Sequence, residues 1–173
     1  MEVYLIRHTT PHFEKGLIYG QLDLNLADSF PEEFELIKQK LPGKFDKVYS
    51  SPSKRCTQLA HFLNPSFETD SRLMELNFGE WEGKTWDTVD QDQLQIWMDD
   101  FVNILVPGGE SMLQMSERVK EFWQEMSLLS VEKIAIVTHA GVIRIILGIV
   151  RKLELNTLFE IKVEYGELVV VRL

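Results

Sequence analysis

The sequence predicts an α/β fold, a three-layer α/β/α sandwich built on a mostly parallel central sheet. Three short apolar runs carry that expectation: Val3–Arg7 (VYLIR), Asp46–Ser51 (DKVYSS) and Lys133–His139 (KIAIVTH). Helix-compatible segments are interleaved with them, the order that builds parallel crossovers. At 173 residues the chain suits one domain, residues 1–173, with enough length for a sizeable core.

VYLIR is apolar, β-branched or aromatic and does not alternate, which fits a strand covered on both faces. A turn-rich stretch with Pro11, Gly16 and Gly20 leads into QLDLNL. The segment Ser29–Leu41 reads as a helix: Ser29 as its cap, Pro31 and two glutamates in the first turn, and Phe34, Ile37 and Leu41 on one face. After DKVYSS, a second helix is expected over Ser51–Leu63, with Ser51 as N-cap and Pro52 at the first helical position. Arg55 then lies about one turn into that helix. Residues 91–102 are helix-compatible, and PGGES forms a turn. Met112, Met115, Val119, Phe122, Met126 and Leu129 recur at helical spacing, behind a Ser111–Gln114 capping box. The run KIAIVTH gives a third buried strand, a turn at Ala140–Gly141 and a helix over VIRIILGIV. The last fifteen residues read as two strands about a Tyr165–Gly166 turn.

The composition excludes several classes. A net charge of −9 leaves no basic excess for nucleic acid, so an anionic substrate needs a local cluster of positive charge. The single cysteine, Cys56, allows neither an internal disulfide nor a thiolate metal cluster, and it fits a reducing cytosol. The chain enters directly into a strand-like run with no signal-peptide pattern. Its longest apolar stretch, GVIRIILGIV, is interrupted by Arg144 and too short for a bilayer, so a cytoplasmic protein with no membrane partner is expected. The C-terminal ELVVVRL suits either the end of the sheet or an edge pairing across a dimer.

In an open α/β sheet, ligands bind at the carboxyl ends of the strands. The first strand releases Arg7 and His8, the second leads through Ser50 to Arg55, and the third releases Thr138 and His139. Two of the four histidines therefore follow buried strands directly, while His12 and His61 lie in a loop and in a helix without patterned partners. Metal binding suits this set poorly, because adjacent guanidiniums repel a cation. No GxSxG elbow is present. The segment GEWEGKT resembles a P-loop, but three residues rather than four separate its glycines, and Glu80 and Glu82 bring the wrong charge. Bidentate arginines point instead to a phosphate. A neutral imidazole attacks phosphorus without a separate base, the arginines and the second histidine neutralise the phosphoryl oxygens, and the leaving alkoxide needs a carboxylic acid nearby.

These residues resemble the histidine phosphatase superfamily, also called phosphoglycerate mutase-like. Arg7-His8-Thr9 is similar to its Arg-His-Gly signature, SSPSKRCTQLA to its second-arginine motif, LMELNFGEWEG to its carboxylate motif, and VTHAGVIR to its second-histidine motif. The likeness spans nearly the whole chain in the family's order. It implies that His8 becomes phosphorylated, and that Glu75 is the general acid and later the base for water. It also implies that Arg7, Arg55 and His139 hold the phosphoryl group without metal or cofactor. Thr10, Gly20 and Ala140 complete the implied substrate-binding set. Two positions depart from the pattern. Thr9 replaces a glycine, which matters if the turn needs positive φ, and Glu14 stands where many members have a phosphate-contacting asparagine.

Within the family, the small size, the GLIYGQLDLNL region and the compact ELNFGEWEG motif resemble the branch that hydrolyses α-ribazole 5′-phosphate in cobalamin nucleotide-loop assembly. Phe78, Trp81 and Trp86 are candidates for an apolar wall against its benzimidazole, with core packing as the competing role. The rival readings are a broad-specificity phosphatase or mutase, a phosphatase of phosphohistidine proteins, and a non-catalytic phosphate-binding module.

Overall fold

The computed structural model describes residues 1–173. Five strands form one sheet: β1 (Glu2–Arg7), β2 (Lys47–Ser50), β3 (Glu68–Thr69), β4 (Lys133–Thr138) and β5 (Leu168–Arg172). Their order is β3-β2-β4-β1-β5, parallel except for β5, which runs antiparallel to β1 at the edge. The helices are α1 (Phe30–Lys38), α2 (Lys54–Leu63), α3 (Gln91–Asp99), α4 (Met112–Ser127) and α5 (Ala140–Arg151), and short 3₁₀ turns occur at Ser71–Leu73, Gly79–Trp81 and Leu155–Glu160.

Strand side chains alternate between two faces, and both faces are buried. Ile6, Val48, Ala135 and Val137 pack with Phe34 and Ile37 of α1 and Cys56, Leu59 and Ala60 of α2. Val3, Leu5, Ile134 and Ile136 face the other way, onto Met115, Val119 and Phe122 of α4 and Val142, Ile143 and Ile146 of α5. This is the expected sandwich. No helix is long and apolar enough to cross a membrane.

The capping box on α4 forms as its sequence predicts. Ser29 does precede α1, but its hydroxyl donates to Glu33 at 2.6 Å instead of accepting a helix N–H. Three other expectations fail. Ala140 and Gly141, expected as a turn, are the first two residues of α5, with His139 at its N-cap. The second helix begins at Lys54 with Ser53 at its N-cap, because Ser50 and Ser51 still follow the sheet: the Ser51 N–H donates to the Val137 carbonyl. The C-terminal segment supplies one strand, not two. The Val163 carbonyl accepts from Arg7 instead of from a strand partner, and Gly166, with φ +66°, turns the chain into β5.

Register sets the height at which each strand stops. Arg7 lies opposite Thr138, and Ser50 opposite Val137, so the three parallel strands end together. His8, Ser51 and His139 leave the sheet from neighbouring positions.

Candidate active site

At the shared strand ends the His8 and His139 rings meet edge-on, with centroids 5.1 Å apart. The Nδ1–H of His8 donates to the Thr9 carbonyl at 2.7 Å, which assigns its tautomer and leaves Nε2 unprotonated. Arg55 Nε donates to that Nε2 at 3.3 Å, and Arg55 Nη2 lies 3.4 Å from His139 Nδ1. The Nε2–H of His139 then points to Ser51 Oγ at 2.8 Å. Although it sits in the first turn of α2, Arg55 is fully buried, and it also donates to the carbonyls of Leu22 (2.9 Å) and Gly20 (2.5 Å).

Arg7 approaches from the other side. Its Nη1 donates to the Val163 carbonyl at 2.6 Å, and its guanidinium carbon lies 3.8 Å from the centroid of the Tyr165 ring. Its Nε is buried without a partner, a donor left for a ligand. The hydroxyls of Tyr165 and Tyr19 bond to each other beside this cluster.

Burial, then the charge of Arg55, lowers the His8 pKa to about 3 against the opposing pull of the Thr9 carbonyl. His139 is pushed well below its ordinary value by burial, then by His8 and the arginines. Both imidazoles are therefore neutral near pH 7, and His8 presents an unprotonated nitrogen among cationic groups. That arrangement attracts an anion and offers it a nucleophile.

Glu75 stands at the start of α5. Its carboxylate accepts from the N–H of Gly141 and of Leu76, each at 3.1 Å. A Cβ on Gly141 would fall 2.1 Å from Glu75 Oε1, so only glycine permits this approach. Arg118 fixes the backbone of Glu75: it donates to the carbonyls of Arg72, Met74 and Glu75 and is paired with Glu110 at 2.6 Å. Beside Glu75 opens a cavity whose wall includes Leu76, Phe78, Met112, Met115, Ile145 and Phe159, with Tyr19 and Arg144 also at its lining.

The structure thus brings Arg7, His8, Arg55 and His139 together and sets Glu75 at the N-terminus of the helix that follows His139. Ala140 opens α5, and its N–H has no protein acceptor. Thr10 is differently engaged: its N–H and hydroxyl both donate to Glu33 (2.9 and 3.2 Å), so neither is free for a substrate. Gly20 likewise serves Arg55 through its carbonyl, while its N–H goes to Glu82. Glu14 is exposed. Thr9 needs no glycine-like conformation, since Lys152 is the lone non-glycine residue with positive φ. Of the three aromatic candidates, Phe78 lines the cavity; Trp81 is core, and Trp86 packs behind Phe78, edge-on to it and stacked on Trp97, without lining the cavity itself. Ser51, Tyr165, Arg118 and Glu82 were not legible as site residues. No group of three or more His, Cys, Asp or Glu side chains is placed to hold a metal ion.

Known proteins resemble this chain over nearly its whole length. Residues 3–173 match the family model described as histidine phosphatase superfamily (branch 1). The chain is 30% identical over 171 residues to a Hydrogenobacter thermophilus protein provisionally named phosphoserine phosphatase 2, covering 94% of this chain and 84% of that relative. It is 23% identical over 176 residues to the adenosylcobalamin/alpha-ribazole phosphatase of Salmonella typhimurium, covering 96% and 87%. The crystal structure of the alpha-ribazole phosphatase from Shigella flexneri matches with a TM-score of 0.91 at 22% identity, over 99% of this chain and 90% of that one, a likeness of fold.

Proposed function

The chain belongs to the histidine phosphatase superfamily and is a phosphatase of phosphate monoesters, and from that premise we propose that His8 is its nucleophile. The observation that carries this assignment is the His8–Thr9 bond, which leaves Nε2 unprotonated beside the Arg55 guanidinium. Arg7 Nε, Arg55 and the Ala140 N–H receive the phosphoryl oxygens. The negative charge of the phosphoryl group opposes the burial that keeps His139 neutral, and a protonated His139 adds a further donor.

In the first step Nε2 forms a bond to phosphorus as the ester P–O bond breaks, and protonated Glu75 gives its proton to the leaving oxygen. In the second, the Glu75 carboxylate takes a proton from water, whose oxygen attacks phosphorus. The P–N bond breaks, inorganic phosphate leaves and His8 returns to its neutral form. The Gly141 and Leu76 N–H groups hold the Glu75 carboxyl group in place for both steps.

For the leaving group we favour α-ribazole, so that the substrate is α-ribazole 5′-phosphate of cobalamin nucleotide-loop assembly. The apolar wall of Leu76, Phe78, Met112, Met115, Ile145 and Phe159 beside Glu75 supports a flat, apolar base. Arg144 favours a second reading. Its Nε donates to the Ile161 carbonyl at 2.8 Å, and a cationic residue at this lining suits a carboxylate on the leaving group, as in phosphoserine. Phosphate release from α-ribazole phosphate, phosphoserine, 3-phosphoglycerate and p-nitrophenyl phosphate separates the two. The first reading expects the highest kcat/KM on α-ribazole phosphate. Equal turnover on all four, or conversion of 3-phosphoglycerate to its isomer, overturns it.

A further inference from the structure

The GEWEGKT segment is no phosphate loop, yet it holds an acidic side chain tied to the site. Glu82 Oε1 accepts from the N–H of Gln21 (2.8 Å) and Phe78 (3.1 Å), and Oε2 from the N–H of Gly20 (2.9 Å) and Leu22 (3.0 Å). No lysine or arginine pairs with it. One carboxylate therefore gathers four backbone donors, three of them consecutive in a loop 60 to 62 residues upstream.

The other side of that loop faces Arg55. The carbonyls of Gly20 and Leu22 accept from its Nη2 and Nη1, and its Nε lies on the nucleophilic nitrogen of His8. The Gly20 carbonyl and the Gln21 N–H belong to one peptide unit. That unit stands between a carboxylate and a guanidinium, its N–H end on Glu82 and its oxygen end on Arg55, so its dipole links the two charges. The loop runs so close to the Leu76 backbone that a side chain at residue 20 has no room: a Cβ there would lie 1.8 Å from the Leu76 carbonyl oxygen.

We propose that Glu82 is a positioning residue for phosphate recognition, acting through the Gly20–Leu22 backbone to hold the Arg55 guanidinium against His8. A glutamine at this position replaces one oxygen by an NH₂ group. Two of the four N–H groups then face a donor, and the loop carbonyls lose their fixed aim at Arg55.

The KM part of the test rests on the phosphatase reading; the binding part does not. Affinity for inorganic phosphate is measured by calorimetry on the whole chain, alongside turnover of p-nitrophenyl phosphate. Glu82→Gln is expected to raise the phosphate Kd and the KM by a common factor, about tenfold or more, with a smaller fall in kcat. Glu82→Asp keeps both oxygens but withdraws them by a methylene, so its values fall between. Wild-type Kd and KM in Glu82→Gln, or a fall in kcat with both constants unchanged, overturns the proposal. Should Glu82→Gln not fold, Glu82→Asp decides: a raised Kd supports the proposal and a wild-type Kd overturns it. A wild-type chain that binds phosphate without turnover, together with weakened binding in Glu82→Gln, supports the role of Glu82 and overturns the phosphatase reading instead.

Discussion

The Nδ1 of His8 lies 2.7 Å from the carbonyl oxygen of Thr9, its neighbour in the chain, and that bond leaves Nε2 as the unprotonated ring nitrogen. Because the acceptor is a backbone atom, the side chain at residue 9 does not affect it. Replacing His8 with alanine is expected to abolish turnover and the acid-labile phosphoenzyme, read by quenching with a ³²P-labelled substrate. Unchanged hydrolysis would refute His8 as nucleophile.

Titration of the same histidine has a stability consequence. His8 falls from its ordinary 6.5 to about 3 on folding, and His139 shifts the same way. The unfolded chain thus binds more protons than the folded one below pH 6.5, so stability declines as pH drops from about 6.5 toward 3. Urea midpoints measured from pH 7 to pH 4 should fall, and His8→Gln should flatten the slope. A midpoint independent of pH over that window, with no difference between wild type and variant, would contradict the buried, neutral imidazoles.

Gly141 and Glu75 are coupled by space alone. In Gly141→Ala the new methyl meets Glu75 Oε1 at 2.1 Å, and the acid must move. The loss should be largest where the leaving oxygen needs a proton: about 10²-fold or more in kcat for an alkyl phosphate, and much less for p-nitrophenyl phosphate, whose phenolate leaves unaided. Glu75→Gln should show the same contrast, and equal losses on both substrates would remove Glu75 from the acid role.

Ser51 accepts from the buried Nε2–H of His139 at 2.8 Å, and the same nitrogen has a weaker contact with Cys56 Sγ at 3.6 Å. Ser51→Ala leaves that N–H without a proper acceptor and should cost about 1–3 kcal/mol of stability, measured by denaturant unfolding. A change below about 0.5 kcal/mol, on the order of an exposed surface substitution, would argue that the bond does not hold the ring.

Arg144 distinguishes the two substrate readings. Arg144→Gln should reduce kcat/KM for phosphoserine by about 10–100-fold if a carboxylate binds there, and leave α-ribazole phosphate nearly unchanged. Parallel losses on both substrates would mean that Arg144 serves the site through its bond to Ile161 instead.

The fold and the chemical centre were legible because they depend on local pattern. Buried strands announce themselves by composition, and a histidine directly after each of two of them is visible on inspection. What escaped depends on distance in the chain. Ser51 beside Pro52 carries every local sign of a helix cap, yet β2 pairing holds it at the sheet and spends its hydroxyl on residue 139. Glu82 reads as a charge that would repel phosphate, and only the return of residues 20–22 gives its carboxylate a purpose. The second C-terminal strand failed for a similar reason: Arg7 takes the Val163 carbonyl.

Pairing of Arg7 with Thr138 puts both histidines at one height on the sheet. Side chains alternate along a strand, so a slip of one residue between β1 and β4 would turn one imidazole into the opposite layer. A misregistered chain can collapse and bury much of its apolar surface while lacking the paired rings. Turnover regained during refolding is therefore a clock for correct strand alignment, separable from the earlier signal of compaction.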